Sequence, residues 1–200
     1  MSTDPADHVA PTPELTYPVP EGTPMRTFVV FAGVVLFGGA LSAQSKNAVA
    51  EGLATEAHNH SRNMIAAAEA MPADKYGFKP SDQQISFGDL ISHAASANNT
   101  LCAAAAGDKA PETATKGTGT KPALVDQLKE SFAYCDRAFE KVDASKLGDQ
   151  VQVLGRTTTK AWVLFHMALD WGDHYSQAAT MLRQNGITPP SAQPRTNGRR

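Results

Sequence analysis

No excess of basic charge marks this chain. Eighteen Lys and Arg stand against twenty Asp and Glu, for a formal net charge of −2. The electrostatic footprint of a nucleic-acid binder is therefore missing, and the closing "RTNGRR" reads as a solvated tail. No apolar run reaches the ~20 residues that a membrane-spanning helix needs; Phe28 to Leu41 is about fourteen residues long. No cysteine follows that run, so a lipoprotein anchor is not indicated. Internal repeats are lacking, and the alanine-rich segments have no β-branched runs, which favours helices. These absences leave an all-α chain of 200 residues, one domain with extensions at its ends.

What is present begins with the N-terminus. Residues 1–24 are rich in proline and poor in apolar periodicity, so they are expected to be disordered, or an over-extended start before Met25. Residues 25–43, "MRTFVVFAGVVLFGGALSA", have a positive start at Arg26, an apolar run, and small residues at Ala40, Ser42 and Ala43. That is the layout of a secretory signal peptide. The mature chain then starts near Gln44 in the periplasm or outside the cell, and an uncleaved N-terminal anchor is the alternative. Export bears on Cys102 and Cys135, which fall on different predicted helices. An oxidising compartment permits a disulfide between them; two buried, inert thiols are the other reading.

Four amphipathic helices are expected between residues 47 and 191, with 192–200 as a disordered tail. The first carries Leu53, Ala57, His60, Met64, Ala68 and Met71 at helical spacing and stops at Pro72. Ser86 caps the second, with Asp89 three residues later, and Gly107 ends it. The third opens at Pro122 and buries Leu124, Leu128, Phe132, Cys135 and Phe139. Residues 143–155 link it to the fourth, which a threonine between 157 and 159 caps and Gly186 ends. Joined by loops of moderate length, these form a four-helix bundle.

The fourth helix raises a chemical question. Its stripe from Val163 runs through His166, Asp170, His174, Ala178 and Met181, placing two imidazoles and a carboxylate where apolar groups are expected. Asp170 and His174 at i and i+4 can share an ion. His93, on the stripe Leu90, His93, Ala97 and Leu101, is the candidate third ligand from another helix. Two imidazoles with one carboxylate leave open coordination positions and suit Zn, Ni or Fe. A set of hydrogen-bonded core histidines is the competing reading. His58 and His60 are two apart and cannot share a helix face.

The stretches "AAEAMPADKYGFKP", "SFGDLISHAASANNTLCAAAAG" and "DWGDHYSQAATMLRQNGITPP" resemble the DinB-like metal-binding bundle superfamily, over about residues 47–191. The resemblance implies a four-helix bundle with one His from helix two and an H-xxx-H or E-xxx-H pair from the last helix. Residue by residue, these are His93, Asp170 and His174, with aspartate standing where the family has His or Glu. His166, one turn earlier, either serves as a base or substitutes for the short Asp170, or it packs under Trp162. The resemblance implies a metal-dependent transferase or hydrolase that activates a thiol or water at a divalent metal. A non-catalytic metal- or ligand-binding bundle is the alternative. The expected partners are a small molecule of unknown identity and a second copy in a homodimer, with no nucleic acid and no stable membrane span.

Overall fold

The computed structural model describes residues 48–112 and 116–194. The expected N-terminal extension (1–24), the signal peptide (25–43) and tail residues 195–200 lie outside the described residues. The rest is mostly helical: α1 (Ala48–Ala70), α2 (Phe87–Ala106), α3 (Lys121–Phe139) and α4 (Lys160–Gln184). None of these helices is long and apolar enough to cross a membrane.

Helix ends follow side-chain chemistry. The Ser86 Oγ accepts the Asp89 amide at 3.1 Å as the N-cap of α2 and donates to the Asp89 carboxylate at 2.6 Å. Gly107 ends the same helix in the left-handed region, at φ 80°. Pro122 occupies the first turn of α3, where its missing N–H is no loss. Thr159 caps α4 by accepting the Trp162 amide at 3.2 Å. The loop after α1 is pinned by Tyr76, whose buried hydroxyl donates to the Ala68 carbonyl at 2.7 Å while its ring meets Phe87 edge-on.

A feature outside the all-α expectation is the link before α4. Residues 150–159 form an antiparallel hairpin, β1 (Gln150–Val153) against β2 (Arg156–Thr159). Valine alternates with glutamine in β1, a period-2 pattern only four residues long, and β2 is an arginine followed by three β-branched threonines. Both turn residues have positive φ, Leu154 at 51° and Gly155 at 73°, as a two-residue turn of the primed type requires.

In the bundle, α1 packs on α3 and α4, and α2 packs on α3 and α4. The core takes Met64, Ala67, Ala68 and Met71 from α1, Leu90, Ile91 and Leu101 from α2, Leu124, Leu128 and Phe132 from α3, and Val163, Met167 and Leu182 from α4. Cys102 and Cys135 are joined in a disulfide with Cα atoms 5.2 Å apart, which fixes α2 to α3 and excludes the free-thiol reading. The α2–α3 linker also lies close against α2. A Cβ on Gly117 would overlap the Asp89 side chain, and one on Gly88 would overlap the Gly117 carbonyl.

Candidate metal centre

The α2–α4 seam decides which polar residues meet. These helices run antiparallel, so Asn98 lies against Trp171 and His93 against His174. The His93 and His174 rings are 4.9 Å apart, edge to face at 85°. His174 is buried, at 4 % exposure, while His93 faces solvent at the rim of the same contact. One turn before His174, the Asp170 carboxylate lies 3.6 Å from Nδ1, an ion-pair distance and not a hydrogen bond. The three expected ligands are thus neighbours on two helices.

Burial holds the His174 imidazole below its ordinary range. Asp170 pulls the other way, His93 adds to the lowering, and Asp173 opposes it. The result is a neutral ring near pH 7, the form that offers a lone pair to a metal. The donor set fits a divalent ion in chemical type. In arrangement it is open: among the described residues, no three His, Cys, Asp or Glu side chains are grouped so that they could hold a metal ion.

His166 does not face this cluster in the same way. Its ring stacks on Trp162 at 4.5 Å and 14°, and the Arg156 guanidinium is 5.0 Å from the Trp162 centroid. The buried stripe of α4 passes through Met167 and Trp171, both in the core, while His166 and Asp170 flank it half-buried. At 100° per residue the series 163, 167, 171, 174, 178 and the series 163, 166, 170, 174 span equal arcs on opposite sides of the line from Val163 to His174, so periodicity does not choose between them and packing does. His58 is exposed. His60 approaches the other side of Trp171's helix, 6.0 Å ring to ring, with Nε2 3.8 Å from Glu56 and a buried Nδ1 that has no hydrogen-bond partner.

A polar network beneath the cluster is absent from the sequence reading. Trp171 Nε1 donates to Asn98 Oδ1 at 2.8 Å, Asn98 Nδ2 donates to Ser131 Oγ at 3.0 Å, and Ser131 Oγ donates to the Leu128 carbonyl at 2.8 Å. Three helices are tied together one turn from His174. The signal was available: Asn98 stands on the stripe Ile91, Ala95, Asn98, Cys102 and Ala105, all buried. An asparagine in such company needs partners inside the bundle. C-terminal to His174, α4 and the α1–α2 loop border a groove of about 290 Å3 lined by Ser176, Gln177, Thr180, Pro80 and Ile85.

Comparison with known proteins agrees with this architecture. The model of the DinB superfamily matches residues 56–178. A DinB-like protein from Bacillus cereus ATCC 10987 superposes with a TM-score of 0.60 at 14 % identity, over 70 % of this chain and 95 % of that one. A DinB-like protein from Bacillus subtilis does so at 0.59 and 17 %, over 71 % of this chain and 98 % of that one. A point mutant of a mycothiol-dependent maleylpyruvate isomerase is similar at 0.53 and 19 %, over 64 % of this chain and 59 % of that one. At these identities the likeness concerns the fold alone. Among curated proteins the chain has no match.

Proposed function

The chain belongs to the DinB superfamily, and we propose that it is an exported, metal-dependent transferase or hydrolase that binds a divalent ion between α2 and α4. The observation that carries this reading is the contact of His93 with His174 across two helices, with Asp170 one turn away. Two imidazoles and a carboxylate are donors suited to zinc, nickel or iron. His93 is exposed, so turning it toward a shared ion is a rotamer change and leaves the packed core untouched. When bound, the ion would lower the pKa of a thiol or water and hold the resulting nucleophile.

The chain's own residues do the rest. His174 is kept neutral by burial, and Asp170, 3.6 Å from its Nδ1, is the adjacent donor on the same helix. The Asn98–Trp171–Ser131 network fixes α4 against α2, so the donors do not drift apart. His166, stacked on Trp162 one turn before Asp170, is the proposed proton acceptor, a role that requires its ring to leave that stack and turn toward the seam. A thiol is the alternative to water as the activated group, a reading that the family resemblance implies and that a mycothiol-dependent isomerase of similar fold supports. The Cys102–Cys135 disulfide supports export, because such bonds persist in oxidising compartments.

Purified protein incubated with zinc, nickel or iron and then desalted should retain one equivalent of one of them. His93→Ala and His174→Ala should lose it, Asp170→Ala should hold it more weakly, and His58→Ala should be unchanged. His166→Ala should keep the ion and lose turnover. Retention of metal by a folded His93→Ala, His174→Ala double variant would place the ion elsewhere and sink the assignment.

A further inference from the structure

On its α1 side, away from His93, α4 borders a second groove. It measures about 420 Å3, within the roughly 300–1,000 Å3 range of small-molecule sites. Val49, Leu53, Leu147 and Leu164 give it aliphatic walls, and Phe165 and Glu56 complete them. Glu56 is the only charged residue among the described ones that line it. Phe165 is 75 % exposed, and Leu169 one turn further along is 72 % exposed. Leu169 does not line the groove but extends apolar surface beyond its Phe165 edge.

Gly52 supplies an independent observation. It lies inside α1 and lines the groove, and a Cβ built on it meets nothing within 4 Å. Neither close packing nor positive φ calls for glycine there, and glycine weakens a helix interior. What its missing side chain does provide is open space in the groove.

We propose that this groove binds a cationic amphiphile. An alkyl or ring body lies against the aliphatic walls, and one ammonium group is recognised by the Glu56 carboxylate and the Phe165 ring. The carboxylate supplies the counter-charge. The ring face attracts an ammonium through its quadrupole. Glu56 is itself held beside His60 on the next turn of α1, 3.8 Å away. An anionic amphiphile of the same length meets repulsion at Glu56 and no basic partner among the lining residues. This site is separate from the α2–α4 seam and does not depend on the metal reading.

Octyltrimethylammonium, kept below its micelle concentration, is the probe. Titrated into metal-free protein, it should bind saturably and shift the amide resonances of Val49, Leu53, Leu164 and Phe165. Octyl glucoside should bind more weakly and octanoate weaker still. Glu56→Gln should weaken binding of the ammonium by about tenfold. Gly52→Leu should fill the groove and abolish binding while leaving the melting temperature at or above that of the parent. Octanoate binding as tightly as the ammonium, shifts confined to another face, the absence of saturation, or a folded Gly52→Leu protein that still binds would each overturn the proposal.

Discussion

His174 is buried in a position where its charged form is disfavoured, and this makes the fold sensitive to acid. The burial of both His60 and His174 lowers their affinity for a proton below the ordinary histidine value of about 6.5. As pH falls, the unfolded chain therefore protonates first. The folded state then binds fewer protons than the unfolded one, so stability is complete above pH ~6.5 and is lost as pH drops toward the lower folded values. Metal-free protein should show a melting temperature that falls between pH 7 and 5, and the fall should be shallower in His174→Gln. A melting temperature that rises on acidification contradicts this assignment. Asn98 has a different role, because its amide satisfies both Trp171 and Ser131 inside the bundle. Asn98→Ala should destabilise by about 1–3 kcal/mol, measured by urea denaturation, since it leaves the buried indole N–H unpaired. The i, i+4 spacing of Asp170 and His174 was readable from sequence. The place of His166 was not, because a helical stripe can be drawn through 166 and 170 or through 167 and 171, and only packing selects Met167 and Trp171.

The helices were legible at their ends because capping is local chemistry. Ser86, Gly107, Pro122 and Thr159 each act within one turn of themselves. The hairpin at 150–159 escaped because four-residue strands give periodicity too little length, and its turn lacks the usual signal. Asn-Gly is the strong sequence mark of such a turn, and here Leu154 takes the first position at positive φ. Leu154→Asn should relieve that strain and raise stability by roughly 1 kcal/mol; an unchanged or lower thermal midpoint goes against it. The linker before α3 read as a polar spacer, whereas Gly117 packs on the Asp89 side chain at the start of α2. Gly117→Ala should push the linker off α2 and lower the melting temperature, and a neutral outcome would mean the contact gives way freely.

As a whole, the molecule is a bundle whose third and second helices are bonded covalently, with its candidate chemistry on the adjacent α2–α4 seam. The Cys102–Cys135 bond closes a separation of 33 residues, which on a chain-entropy basis contributes about 3–4 kcal/mol. Reduction should lower the denaturation midpoint accordingly, and native protein should resist alkylation until reduced. Pairing could not be read from sequence, since it depends on two helices meeting in register. Export, with a mature N-terminus near Gln44, is tested by the intact mass of the secreted protein; a dominant full-length cytoplasmic species contradicts it. The bundle and its three nearby donors were accessible from spacing and family resemblance together, while their open arrangement was visible only in three dimensions.

The most direct test of the metal assignment is the thermal midpoint of metal-free protein titrated with zinc, nickel and iron at neutral pH. A ligand that binds only the folded bundle raises its stability by mass action. Wild type should show a saturable rise with at least one of these ions, and His174→Ala should show none. The absence of a shift in wild type, or an equal shift in both proteins, would mean that His93, Asp170 and His174 form a polar contact of the bundle and not a metal centre.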